Sequence, residues 1–411
     1  MFSFITDLDK SRRTLLYACF YAFFCNGMIA LTQGSMMPDM KAAYGLTDTA
    51  GGLMLSAHSI GNLVAGFLSG VVGVYLGRKK TVIMLSSLAF IGMFLIAVQG
   101  VPGLLFFAFI LTGVGRGSVS NFNNGTVNAI TGGSASASNL LHAVFAVGAI
   151  TAPMAFLLLR NAIGWRAGVL LVVACGALSV LNLTRVTVPD DVPAKKSGSD
   201  HAGRSGGFGF MKEPAFLVLA GMMLFYLCSE YAINGWLVSY IQHKDALLQN
   251  FGATGEALDA AVRAYSQTMA TLLWTVILVG RLTCAWLSRR VALKKLMLIC
   301  SALEAGCFAV LLFSSTIPAV TVSVAGLGFF MSGICPMIYA DAAEYTNAYP
   351  MATGILLSFG SAGGIAMPTV VGALADSYGF SGGMLAILAA IALLVVFAVA
   401  NVALGGRRKT A

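Results

Sequence analysis

Twelve apolar stretches of membrane-spanning length, six on either side of a polar segment near residues 184–213, limit what this chain can become more than any other feature. They lie at about 14–38, 48–75, 80–99, 102–130, 138–160, 164–184, 214–241, 264–288, 295–314, 317–343, 351–376 and 382–404. A helix needs about 20 mostly apolar residues to cross the hydrocarbon core. Twelve crossings and short loops therefore use nearly all of the 411 residues. A composition 58% hydrophobic and 10% charged suits no water-soluble domain, because the share of surface a domain can bury grows slowly with chain length. The fold class that follows is an all-α membrane protein, with twelve transmembrane helices in two pseudo-symmetric six-helix bundles. The expected domains are residues 1–184, a linker over 185–213, and residues 214–411.

The formal net charge of +9 would suit nucleic acid, but the positions of the basic residues point elsewhere. Loops that fall on one side carry eighteen of them, including Lys10, Arg12, Arg13, Arg78, Lys79, Lys80, Arg289, Arg290, Arg407 and Arg408. The opposite loops carry five: Lys41, Arg160, Arg166, Lys244 and Arg263. Arg116 and Arg281 fall within spans. Such asymmetry marks the basic side as cytoplasmic, so both termini and the central linker are expected there, in a multi-pass protein of the cytoplasmic membrane. Nucleic acid is not an expected partner; membrane lipid and a small-molecule substrate are. The first span follows a basic start but reaches Pro38 and Asp39 with no small-residue cleavage site, so it reads as a retained helix rather than a signal peptide. All eight cysteines lie in apolar spans without a CxxC pair, which assigns them to packing.

The two halves echo each other across a linker rich in Gly, Ser and charge, around Lys195-Lys196-Ser197-Gly198 and Arg204-Ser205-Gly206. Phe20-Tyr21 and Cys25-Asn26 match Phe225-Tyr226 and Cys228-Ser229-Glu230. Thr112-Gly113-Val114-Gly115 matches Ala325-Gly326-Leu327-Gly328. Gly148-Ala149-Ile150-Thr151-Ala152-Pro153 matches Gly363-Gly364-Ile365-Ala366-Met367-Pro368. Duplicated bundles of this kind are a transporter architecture, with substrate held near the midplane.

Gly70-Val71-Val72-Gly73-Val74-Tyr75-Leu76-Gly77-Arg78-Lys79-Lys80, between spans 2 and 3, resembles the loop signature G-x-x-x-D-R-x-G-R-[RK] of the major facilitator superfamily, with Val74 and Tyr75 in place of Asp-Arg. Gly148 to Pro153 is similar to a shortened form of that family's helix-5 motif. Within the family, the polar fourth span and Glu230, Trp236 and Tyr240 look most like bacterial permeases of the fucose–galactose–glucose type. The resemblance implies rocking of the two bundles and alternating access. It does not carry over the family's charge-relay lock, for want of the Asp-Arg pair. Nor does it carry over proton coupling through carboxylates of helices 1 and 4, where this chain has Asn26 and Arg116.

Polar groups inside spans are costly and usually face water or a partner. Gly117, Asn121, Asn124 and Asn128 follow i, i+4, i+7, i+11 and share one helix face, with Arg116 and Asn123 beside it. Amides both donate and accept, which suits a neutral polyhydroxylated ligand, although asparagine also bonds helices together. Tyr226, Glu230 and Asn234 share a face of span 7. Glu230 is the candidate for proton coupling or substrate binding, against a fixed ion pair with Arg116. Trp236 would stack on a sugar ring or anchor the helix. Asn26 and Gln33 share a face of span 1. His58 and His142 read as packing before proton relay, and Trp274 as a candidate cavity residue. Arg281 is expected to pair with Asp341 or Glu344 as a gate, alongside Arg78. Glu304 in span 9 has no assigned role.

The expected substrate-binding set is Asn26, Arg116, Asn121, Asn124, Glu230, Asn234 and Trp236. No metal-ligand spacing, nucleotide loop or catalytic triad is present, so no cofactor and no enzyme activity are expected. The function expected is secondary active transport of a small polar organic solute, a sugar favoured, as a monomer and with a proton as coupling ion. An organic-anion carrier using Arg116 is the alternative; a membrane enzyme lacks an acid–base pair, and a sensor lacks an output domain.

Overall fold

The computed structural model describes Ile5 and residues 8–188, 208–288 and 290–407, which form helices joined by short turns, with no strand among them. Six helices make up the first half: α1 (Lys10–Tyr44), α2 (Asp48–Leu76), α3 (Arg78–Val98), α4 (Pro102–Ile130), α5 (Ala135–Ile163) and α6 (Trp165–Arg185). The second half holds α7 (Pro214–Gln242), α8 (Gly255–Leu287), α9 (Leu293–Phe313) and α10 (Ile317–Met331, resumed over Ile334–Asp341). The last run, Pro350–Arg407, is broken at Gly379 into α11 (350–378) and α12 (380–407). Among the described residues, eleven helical runs are long and apolar enough to cross a membrane, and the last, 55 residues of it, can cross twice. The twelve expected spans are therefore present. Most of the expected linker, along with Arg289 and Arg408, lies outside the described residues.

Helices outrun the apolar stretches. The eighth apolar run begins near residue 264, yet α8 begins at Gly255, because Glu256, Ala257, Ala260 and Ala261 are good helix formers that water tolerates. Side-chain caps open several helices: Asp9 accepts from Arg12 N at 2.8 Å and Thr47 from Ala50 N at 3.1 Å. The α2–α3 corner turns at Gly77, with φ 75° and ψ 162°, a conformation that side-chain-bearing residues avoid.

Contacts divide the chain into two compact units, Met1–Lys195 and Lys196–Ala411. Each unit repeats one packing scheme. In the first, α1 packs on α5, α2 on α4, and α3 on α4 and α6; in the second, α7 packs on 350–407, α8 on α10, and α9 on α10 and 350–407. Glycine makes the crossings close. A Cβ on Gly27 would meet Phe145 O at 2.1 Å, and one on Gly148 would meet Phe24 O at 2.0 Å, so α1 and α5 touch backbone to backbone. Gly61 and Gly113 do the same for α2 and α4, and Gly363 sits against Leu224 O of α7.

The structure also corrects the register of the repeat. Gly113 faces α2 whereas Gly326, its expected counterpart, faces Cys307 of α9; the residue that meets α8 is Gly328, against Leu273 O. The equivalent of Gly113 is thus Gly328, 215 residues on. That spacing also relates Gly148 to Gly363, Pro153 to Pro368 and Gly168 to Gly383. Gly168 lies against Phe156, and Gly383 against Val371, itself 215 residues beyond Phe156. The α5–α6 and α11–α12 corners follow it too: Gly164 (φ 105°) and Gly379 (φ 73°). A single unbroken offset covers the last half of each bundle.

Ion pairs tie helix ends. Arg160 of α5 clasps Asp39 of α1, with Nε 3.1 Å and Nη2 3.0 Å from Oδ1. Lys41 pairs with Asp48 between α1 and α2. In the second unit Lys244 is buried, donating to Leu312 O at 2.6 Å, Leu311 O at 3.1 Å and Tyr240 Oη at 2.6 Å. It thereby closes the carbonyl end of α9, where a cation is favoured.

Candidate functional site

In the first unit, polar side chains of α1, α2 and α4 meet in a dry network. Gln33 Nε2 lies 2.8 Å from His58 Nδ1 and donates to Thr112 Oγ1 at 3.2 Å, and His58 Nδ1 lies 2.8 Å from the same hydroxyl. All three residues are buried. Gln33 and His58 are therefore spent on each other, as helix-joining groups. One turn further along α4 stands Arg116. The described carboxylates of this unit are all engaged elsewhere: Asp9 with Arg12, Asp39 with Arg160, Asp48 with Lys41. Arg116 forms no ion pair among the described residues, and its Nε is buried without a hydrogen-bond partner. The Phe145 ring, 5.7 Å from the guanidinium, gives it weak cation–π support.

The asparagines of α4 have different fates. Asn123 is buried and donates to Cys19 O at 3.2 Å. Asn124 turns back to Ser120 O at 2.9 Å, and Asn26 donates to Ser120 Oγ at 2.9 Å, so these two candidates meet at one serine. Ser120 was not among the expected site residues, although its i, i+4 spacing from Asn124 is legible. Asn26 Oδ1 remains buried and unsatisfied. Asn128 accepts from Ser138 Oγ at 2.9 Å. Asn121 is exposed and lines a cleft of about 380 Å³ with Gly66, Ser69, Arg78 and Ser118. Arg78 reaches Thr126 Oγ1 at 3.4 Å there. The expected stripe is thus part interhelical glue and part open surface.

In the second unit, Tyr226, Glu230 and Asn234 lie along α7, and Trp274 and Arg281, seven residues apart on α8, stand opposite. Trp274 Nε1 donates to Asn234 Oδ1 at 3.0 Å, leaving the Asn234 amide nitrogen free. Glu230 and Arg281 both act electrostatically on Tyr226 and on Cys335 of α10. These four groups therefore form one polar cluster within otherwise apolar helices.

Two expectations fail here. Arg281 does not join Asp341 or Glu344: it forms no ion pair among the described residues, and its Nε is buried without a partner. Asp341 is held instead by Lys294, 3.6 Å away, and by Asn401, which donates to Oδ2 at 2.8 Å; Glu344 is exposed. Arg281 lies six residues, under two helical turns, before the end of α8, but its guanidinium acts on Tyr226 and Cys335 and so joins that cluster rather than the helix ends. Trp236 takes the anchoring role: it is fully buried, donates to Pro368 O at 3.0 Å and packs on Phe380 just past the Gly379 corner. An indole so enclosed presents no face to a ring.

Two six-helix units with matched crossings, each carrying unsatisfied polar groups within its spans, have the architecture of a multi-pass membrane carrier. The chain belongs to the Major Facilitator Superfamily, whose family model matches residues 19–262 and 246–410. It is 22% identical over 369 residues to an uncharacterized MFS-type transporter of Yersinia pestis, covering 86% of this chain and 87% of that protein. Among solved structures it is similar to the nucleoside transporter NupG, with a TM-score of 0.74 at 14% identity over 96% of this chain and 99% of the other. A bacterial homologue of the lysosomal transporter Spinster, inward-facing and unoccupied, gives a TM-score of 0.73 at 13% identity over 95% and 97%. These relatives support the superfamily and its fold; they do not single out the fucose–galactose–glucose permeases.

Proposed function

We propose that this protein carries a small polyhydroxylated solute, a sugar favoured, across the cytoplasmic membrane by alternating access, with both termini cytoplasmic and the monomer as the working unit. The carrying observation is Arg116, a mid-span cation with no ion pair among the described residues and a buried, unsatisfied Nε. A guanidinium in that state is an unspent set of donors, and a solute bearing vicinal hydroxyls can occupy it. Asn26 and Asn124 add amides beside it. Within the second unit, Asn234 and Glu230 are the residues proposed to serve the solute. A nucleoside, the cargo named for NupG, carries the same ribose-type hydroxyls. Glu230 is the proposed proton-coupling residue.

The second reading is an organic anion. It is favoured by Arg281, a second mid-span cation that forms no ion pair among the described residues. Uptake into proteoliposomes separates the two. Neutral sugars and nucleosides, tested against carboxylates and phosphate esters, should win, and a preference for anions lost in Arg116→Gln would reverse the assignment. Glu230→Gln should abolish accumulation driven by a pH gradient while sparing equilibrium exchange; unaltered accumulation removes Glu230 from coupling.

A further inference from the structure

The contact between Ser229 and Glu304 carries information about a proton. Glu304 sits within α9 with no exposed surface. Among the described residues its carboxyl meets one hydrogen-bonding group, Ser229 Oγ, 3.3 Å from Oε1, while Oε2 is buried with no partner. Ser229 owns a single hydroxyl hydrogen, and its shorter contact, 2.8 Å, is to the Tyr226 carbonyl, which can only accept. A hydroxyl that donates to Tyr226 turns a lone pair towards Glu304. The hydrogen in the Ser229–Glu304 contact then has to belong to the carboxyl.

The surroundings agree. The charged group acting on Glu304 is Glu230 of α7, another acid, and both act on Tyr226. Cys300 and Cys307 flank it on its own helix, and Cys284 of α8 bonds to Cys300. From α8, Arg281 reaches Tyr226 and Cys335 of α10 rather than Glu304. An ionised carboxylate here would have neither cation nor committed donor, a state that interiors avoid.

We propose that Glu304 is a proton-binding site of this carrier, a carboxylic acid held against the Ser229 hydroxyl at the Tyr226 turn of α7. Loss of the proton breaks the Glu304 O–H bond and sends the proton to water or to the Glu230 carboxylate. Ser229 then swings its hydrogen from the Tyr226 carbonyl, which keeps its helical partner, to the new carboxylate. The consequence for transport rests on the proton-coupled reading above; the site itself does not.

Infrared spectroscopy of the full-length protein in lipid, titrated with acid and base and with no solute present, tests the site. The expected result is a protonated-carboxyl C=O stretch at neutral pH that is lost in Glu304→Gln and kept in Glu230→Gln. Ser229→Ala, which leaves the acid in place, should shift the frequency of that band. Absence of the band from the wild type at neutral pH, or its survival unchanged in Glu304→Gln, would overturn the proposal. Because no solute is used, that failure is separate from a failure of the uptake panel.

Discussion

The Trp274 indole donates its N–H to the Asn234 side-chain oxygen at 3.0 Å, tying α8 to α7 one turn beyond Glu230. The bond sets which end of the amide is free, so it orients the donor that the proposed site presents. Trp274→Phe keeps an aromatic ring, though a smaller one, and removes the donor. A bond of this kind is worth about 1 kcal/mol, so apparent affinity in proteoliposome uptake should weaken about fivefold with little change in melting temperature. An unchanged KM would show that Asn234 does not depend on Trp274.

Arg116 offers five donors in a plane, which a lysine cannot reproduce. Arg116→Lys keeps the charge and should still lose about tenfold in kcat/KM for a neutral sugar. An organic-anion carrier would instead retain most of its activity in the lysine variant. Comparing the two substitutions, lysine and glutamine, in one uptake assay decides between hydroxyl recognition and charge recognition.

Gly113 has no room for a methyl group: its Cβ would lie 2.0 Å from His58 O, a backbone atom. Gly113→Ala should force α2 and α4 apart and lower stability by about 3 kcal/mol or prevent folding. Gly73, also helical, has nothing within 4 Å, so Gly73→Ala should be neutral or stabilising by about 0.5–1 kcal/mol. Thermal unfolding of both variants in detergent, followed by size-exclusion chromatography, makes the comparison; equal effects would contradict the close crossing.

The Arg160–Asp39 clasp is two-pronged and its side chains are 25% and 19% exposed. A double-mutant cycle with Arg160→Met and Asp39→Asn should return a coupling energy of about 1–2 kcal/mol, above that of exposed pairs. A coupling near zero would mean that solvent screens the pair despite its geometry.

Lys244 closes the end of α9 through hydrogen bonds to two of its carbonyls and is braced by a third to Tyr240 of α7. Lys244→Met retains the stem and deletes the donors, and should cost about 2 kcal/mol. Lys295, further along the chain on α9, is the control, since Lys295→Met touches neither carbonyl. Matching melting temperatures for the two variants would dispose of the cap.

Much of this fold was legible in the residues. Apolar runs marked every crossing, and the Gly148–Pro153 and Gly363–Pro368 segments marked a true repeat. The register of span 4 against span 10 was not legible, because pairing Gly113 and Gly115 with Gly326 and Gly328 matches two glycines where the structural offset matches one; which helix each one faces decides between them. The Gly164 and Gly379 corners were overlooked although both stand at the same offset, since their neighbours differ. For the candidate site, periodicity put Asn121, Asn124 and Asn128 on one face, but it could not say that Asn124 and Asn26 converge on Ser120. Charge complementarity suggested Arg281 with Asp341, yet Lys294 and Asn401 already hold that carboxylate.

The division has a physical cause. Hydropathy is a sum along a contiguous stretch, so the chain alone determined the number of crossings, the all-helical class and the twofold internal repeat. A hydrogen bond or ion pair depends on distances of about 3 Å between helices far apart in sequence. Tertiary structure therefore decided which polar groups are consumed in holding helices together, as with Gln33, His58 and Trp236. It also decided which are left unspent, as with Arg116.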